Sequence, residues 1–152
     1  DWCGREGLIV LRSFGKFYGL AGLRLGFAMT TPPLARVFGE ALGPWAISGP
    51  AISIACEALA DEYWHAEIRE RLSTTAQRLD AMLAQSGLMI IGGTPLFRLA
   101  AGGDAQTIFQ RLGRVGILVR HFPQHPNWLR FGIPASEEDF ERVRQALIPP
   151  ID

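Results

Sequence analysis

Lysine is almost absent from this chain: Lys16 is its one lysine, and the other basic residues are all arginine. Cysteine is equally scarce. Cys3 and Cys56 are too far apart for a metal or redox motif, and they read as indifferent thiols of a reducing compartment. Neither charge sign dominates, since fifteen basic residues balance fifteen acidic ones and no basic block occurs. That balance argues against a nucleic-acid or anionic-membrane partner. No apolar run approaches the about 20 residues a membrane span requires, and no stretch has the layout of a signal peptide. A cytoplasmic location is the expectation. What is present is a 152-residue chain with 48% hydrophobic residues, the composition of a globular protein.

The setting of Lys16 raises the first chemical question. It lies in "LRSFGKFYGLAGLRLGF", among glycines and aromatics, between two strand-like runs. Burial disfavours a charged lysine, and a lysine that is neutral part of the time is an amine nucleophile able to condense with an aldehyde. The chain opens on Asp1, and "LIVLRSFGK" follows almost at once. A strand leading straight into such a loop is expected to be the middle of a longer protein.

"LIVLR" (8–12) and "LRLGFAM" (23–29) read as short strands. Thr31 followed by Pro32 and Pro33 marks a helix start, with an end near Gly43. A loop and then a helix opening at Pro50 come next. A long helix carries Ile68, Leu72, Ala76, Leu79 and Leu83 at steps of three and four, and Gly87 stops it. "GLMIIGGTPLFRLAA" then reads as strand, Gly-Gly turn, strand. Asp104 is the N-cap expected for a helix with Ile108, Phe109 and Leu112 inward. "ILVR" and "NWLRFGI" are further strands, and Ser136 with Asp139 forms a capping signature for a last helix burying Phe140, Val143 and Leu147. The fold class is α/β, with parts expected at 1–60, a linking helix at 61–86, and a small α/β domain at 87–152.

Ser13 lies three residues before Lys16 and Arg24 eight after. A hydroxyl and a guanidinium at the ends of one loop suit a phosphate, which arginine can hold through two charge-assisted hydrogen bonds. Gly19 and Gly22 allow close backbone approach or positive φ. The loop thus offers an amine and a phosphate anchor, the two things pyridoxal 5'-phosphate requires. A flexible loop between two strands is the alternative reading of the spacing alone. Dinucleotide and P-loop readings are weak, because "GLAGLRLG" contains neither G-x-G-x-x-G nor G-K-[ST].

"SFGKFYGLAGLRLGF" closely resembles the lysine motif of the fold-type I, class I/II aminotransferase superfamily. The resemblance implies that Lys16 carries pyridoxal phosphate covalently while Ser13 and Arg24 hold its phosphate. It also implies that the chain is the C-terminal part of such an enzyme: the end of the large domain plus the small domain. "PWAISGPAISIACEAL" and "GILVRHFPQHPNWLRFGIP" resemble the histidinol-phosphate aminotransferase and threonine-phosphate decarboxylase branch. By that resemblance Arg130 grips a substrate α-carboxylate, a task suited to a planar fork, and Arg120 helps bind a substrate phosphate. The alternative for both is a solvated arginine at a strand edge or end. His121 and His125 form an H-x3-H, but Pro123 and Pro126 exclude a helix there, so no metal site is expected. His65 reads as a surface residue, and Trp45, Trp64 and Trp128 as packing or interface groups.

"GGTPLFRL" lacks the asparagine of the Asn-Phe pair usual in the histidinol-phosphate enzymes, and with "WLRFGIP" it resembles the cobalamin-pathway members instead. The resemblance therefore points to decarboxylation of L-threonine O-3-phosphate to aminopropanol phosphate. An aminotransferase of the histidinol-phosphate type is the alternative. A non-enzymatic remnant that binds a partner chain is a second. The resemblance covers about two fifths of a full family member and implies a homodimer. It leaves outside this chain the aspartate that keeps the cofactor's ring nitrogen protonated.

Overall fold

The computed structural model describes residues 4–148. The chain divides into two units, Asp1–Tyr63 and Trp64–Asp152.

In the first unit, β1 (Val10–Ser13) pairs antiparallel with β2 (Gly26–Met29), Ser13 facing Gly26 and Val10 facing Met29. β1 runs from Val10 to Ser13 rather than over 8–12, and β2 starts later than the sequence suggests because the segment 21–23 winds into a 3-10 turn before it. Helix α1 (Pro32–Leu42) starts on the two prolines and ends at Gly43, whose φ is +69°. Helix α2 (Gly49–Ala60) is capped by Ser48, whose Oγ accepts the Ala51 N–H at 3.3 Å. This is N-cap chemistry that satisfies one orphan donor of the first turn. Among the described residues only Phe14, Ala51 and Ala55 of this unit are buried.

The second unit contains α3 (Glu62–Gln85, its first two residues belonging to the first unit), β3 (Met89–Thr94), β4 (Phe97–Ala101), α4 (Ala105–Arg114), β5 (Arg120–His121), β6 (Trp128–Gly132) and α5 (Glu137–Leu147). The strands form one antiparallel sheet in the order β3-β4-β6-β5. Helix α3 stops where Gly87 takes φ +82°; the Leu88 N–H donates to Leu83 C=O at 3.0 Å and the Gly87 N–H to Ala84 C=O at 3.0 Å. These two bonds are a Schellman closure, for which glycine in the left-handed region is suited. Asp104 caps α4 and Ser136 caps α5, each accepting a backbone N–H at 3.1 Å, as the sequence predicts.

The core joins Leu79, Met82 and Leu83 of α3 to Leu112 of α4, Phe140, Val143 and Leu147 of α5, and Ala100, Leu129 and Phe131 of the sheet. Ile108 and Phe109 pack against it, on the inward face expected for α4. A half-buried ion pair adds to this layer: Arg98 Nε and Nη2 donate to the two Asp80 oxygens at 2.6 and 2.5 Å, tying β4 to α3.

The Gly-Gly turn does not form. Gly92 and Gly93 lie inside β3, beside a register shift between Ile90 and Gly92, and the chain reverses over Pro95 and Leu96. A Cβ on Gly93 would sit 2.4 Å from the Phe97 carbonyl oxygen at φ +147°. Glycine is required there for close strand approach at a bulge, not for a turn. Among the described residues no helix is long and apolar enough to cross a membrane.

Candidate active site

The candidate residues fall into two groups, one in each unit. In the first, the hairpin between β1 and β2 is a closed loop. Ser13 pairs with Gly26, and a Cβ on Gly26 would lie 2.8 Å from the Arg12 carbonyl oxygen, so the neck tolerates only glycine without adjustment. Just inside the neck Phe14 is 1% exposed, its ring 4.8 Å from Tyr18 and 5.5 Å from Phe27. It anchors the loop: its N–H donates to Leu25 C=O at 3.3 Å and its C=O accepts from the Leu20 N–H at 2.9 Å. A turn brings the Gly19 N–H to Lys16 C=O at 2.9 Å, with Gly19 at φ +69°.

Arg24 closes the 3-10 turn in the left-handed region, φ 52° and ψ 38°, and its Nη1 donates to Ala21 C=O at 3.3 Å. A non-glycine residue in that conformation is uncommon, and such strain clusters at ligand sites. Ser13, Lys16 and Arg24 are all exposed. The burial that would desolvate Lys16 is thus not supplied by the described residues, a departure from the expectation set by its aromatic neighbours. Tyr18 instead packs on Phe14, and Phe17 on Tyr18. Among the described residues no carboxylate pairs with Lys16 or Arg24. One loop therefore presents a hydroxyl, an amine and a guanidinium free of acidic partners, a donor set that fits an aldehyde bearing a phosphate.

The second group lies on the face of the sheet turned away from the core. Side chains alternate along a strand, so Leu129 and Phe131 enter the core while Trp128, Arg130 and Gly132 take the other face, with Phe97 and Leu99 of β4. Arg130 is half-buried on an interior strand, not at an edge. Arg120, on the edge strand β5, stands directly opposite it in register. Like charges directly opposed across a strand pair destabilise a sheet, and no carboxylate among the described residues relieves them. An anionic ligand would. The two arginines line an open cleft of about 630 Å³ with Phe97, Phe109, Leu118 and His121.

The histidines have separate settings. The His125 ring stacks on Trp128 at 3.8 Å, whereas His121 faces Phe109 at 5.7 Å with its Nε2 buried and unpartnered. His65 is half-buried rather than superficial, 5.9 Å from Trp64. Trp45 is 95% exposed. Cys56 is an exposed free thiol, and Cys3 lies outside the described residues. Sequence reasoning passed over Phe97 and Phe122. Phe97 lies under Arg130, 4.6 Å from guanidinium carbon to ring centroid, and Phe122 lies 5.5 Å from that of Arg120. Only the strand register could have flagged them.

Comparison with known proteins identifies the family. Threonine-phosphate decarboxylase from Pseudomonas aeruginosa is 45% identical over 95% of the chain and 43% of its own length. Histidinol-phosphate aminotransferase 2 from Pseudomonas fluorescens is 36% identical over 92% of the chain and 40% of its own length. Among solved structures, histidinol-phosphate aminotransferase from Sinorhizobium meliloti, in complex with pyridoxal-5'-phosphate, superimposes with a TM-score of 0.81 at 28% identity, over 91% of this chain and 40% of that one. The chain thus spans about two fifths of the length of the relatives it matches. Residues 3–147 match the family model for aminotransferase class I and II, and the chain belongs to that family.

Proposed function

We propose that the full protein is a pyridoxal-phosphate-dependent decarboxylase acting on L-threonine O-3-phosphate, with carbon dioxide and aminopropanol phosphate as products. The observation that carries the choice of reaction is the higher identity to the decarboxylase, 45%, than to the histidinol-phosphate aminotransferase, 36%. Within the full protein, residues 1–60 end the large cofactor-binding domain, 61–86 link, and 87–152 form the small domain. A homodimer in the cytoplasm and a role in cobalamin synthesis belong to the same proposal.

Ser13 Oγ and the Arg24 guanidinium would hold the cofactor's phosphate, and Lys16 Nζ its aldehyde carbon. Pyridoxal phosphate, when bound, supplies an electron sink for the pair released when a bond at the substrate's α-carbon breaks. Lys16 would be the catalytic residue: its Nζ can hold the proton that the α-carbon needs after carbon dioxide leaves. Arg130 meets both oxygens of the α-carboxylate, and the opposed Arg120 takes the substrate phosphate.

The test is direct. The full protein given L-threonine O-3-phosphate is expected to release carbon dioxide without consuming 2-oxoglutarate, and Lys16→Ala is expected to abolish turnover. Consumption of 2-oxoglutarate with histidinol phosphate, and no carbon dioxide from threonine phosphate, would make the protein an aminotransferase instead.

A further inference from the structure

Arg130 must present its guanidinium in a fixed plane to meet both oxygens of a carboxylate, yet no acidic side chain among the described residues holds it. What it has is a ring. Phe97 lies on the neighbouring strand, diagonal to Arg130, because Arg130 pairs with Leu99 and Phe97 pairs with Gly132. Gly132 has no side chain, so nothing occupies the position directly across from Phe97. The guanidinium carbon of Arg130 stands 4.6 Å from the centre of the Phe97 ring, and both side chains line the same cleft. A cation over an aromatic face at this distance is attracted by the ring's quadrupole, the more so when partly desolvated. Unlike a carboxylate, the ring leaves the guanidinium's N–H donors free for a ligand.

Arg120 supplies the reason that such a support is needed. It stands opposite Arg130 in register, and repulsion between the two would swing Arg130 away in the absence of ligand.

We infer that Phe97 is a positioning residue for Arg130: its ring fixes the guanidinium for carboxylate recognition and so gives the site its preference for an amino acid over the corresponding amine. This inference rests on the carboxylate role proposed for Arg130. The substitution that reads it is Phe97→Leu, which keeps apolar bulk and removes the ring, with Phe97→Tyr as the conservative counterpart.

The experiment uses the full protein loaded with cofactor and two ligands, L-threonine O-3-phosphate and 1-amino-2-propanol O-2-phosphate. The second is the first without its carboxylate, so its binding reports whether the site is otherwise intact. Phe97→Leu is expected to weaken threonine phosphate about fivefold to tenfold, read as KM, and to leave the inhibition constant of the amine unchanged. Phe97→Tyr is expected to restore the wild-type KM. Arg130→Gln serves as the reference and must abolish the preference for the carboxylate-bearing ligand. If Arg130→Gln leaves that preference intact, the carboxylate assignment fails and this inference with it. If Arg130→Gln removes the preference while Phe97→Leu does not, Phe97 alone is wrongly assigned. Equal weakening of both ligands by Phe97→Leu, or no rescue by tyrosine, reduces Phe97 to a packing residue and overturns the inference.

Discussion

The two units handle apolar side chains in opposite ways. The second sinks a continuous set from three helices and a sheet into one core, with Leu79, Leu83, Leu112 and Leu129 fully inaccessible. The first leaves Leu11, Val37, Leu42, Ile47 and Ile52 more than two fifths exposed, and its helix α1 buries no residue. Helix patterning does not separate them, since both carry amphipathic helices. The difference is in what each segment can complete by itself. A four-stranded sheet with helices on one face closes a core, whereas a two-stranded hairpin with two helices does not. The Lys16 loop thus sits in the unit with few buried residues among those described, and Arg120 and Arg130 sit on the sheet of the unit with the continuous core.

Expression of the units apart should give the largest effect. Residues 64–152 alone are expected to unfold cooperatively in urea, followed by circular dichroism, while residues 1–63 alone show no cooperative transition. Two cooperative fragments, or none, would erase the contrast. At single positions, Leu129→Ala is expected to cost about 3 kcal/mol through lost burial and a residual cavity. Leu11→Ala, at a side chain 75% exposed, is expected to stay within about 0.5 kcal/mol. Denaturant midpoints of the 152-residue chain measure both.

The glycines sharpen the comparison further. Gly93→Ala adds a Cβ 2.4 Å from a backbone oxygen at φ +147°, whereas Gly19→Ala meets nothing within 4 Å at φ +69°. The first is expected to cost about 2–3 kcal/mol and the second about 1 kcal/mol, on the same measurement.

The smallest effect is acid sensitivity of the second unit. Hydrogen bonds from Arg144 and then Gln145 pull the Glu141 carboxyl down to about 2, and the hydrogen bond from Arg78 lowers Glu137. A depressed carboxyl pKa contributes stability that is present above its unfolded value, 4.5 for Glu141, and lost as the pH falls toward the folded one. Both groups are solvent-exposed, so screening keeps the contribution small. The urea midpoint is expected to decline slightly from pH 5 to pH 2.5, and Glu141→Gln to flatten that decline. A midpoint with the same slope in Glu141→Gln would remove the ion pair from the account.

The sequence made much of this legible where the signal is local. Asp104, Ser136 and Gly87 mark helix ends through short-range backbone chemistry, and the inward faces of α4 and α5 follow from a period of 3.6. The loop of Ser13, Lys16 and Arg24 was legible as a spacing, and the hairpin confirms that one closed loop carries all three. Non-local geometry was not legible. Glycine pairs announce conformational freedom without saying whether a turn or a bulge uses it, so Gly92 and Gly93 misled while Pro95 and Leu96 made the turn. Opposition of Arg120 to Arg130, and Phe97 beneath the latter, depends on strand register across the sheet, which no window of sequence contains. The exposure of Lys16 was likewise hidden, because its aromatic neighbours pack on one another, Tyr18 on Phe14 and Phe17 on Tyr18.

The central claim is that the sole lysine of these 152 residues carries the cofactor. The most direct measurement is to load the full protein with pyridoxal phosphate, reduce it with borohydride, and map the pyridoxyl group by peptide mass spectrometry. The account predicts the modification on the peptide containing Lys16, and its loss in Lys16→Ala. Loaded protein whose modification maps to a lysine outside this chain would contradict it.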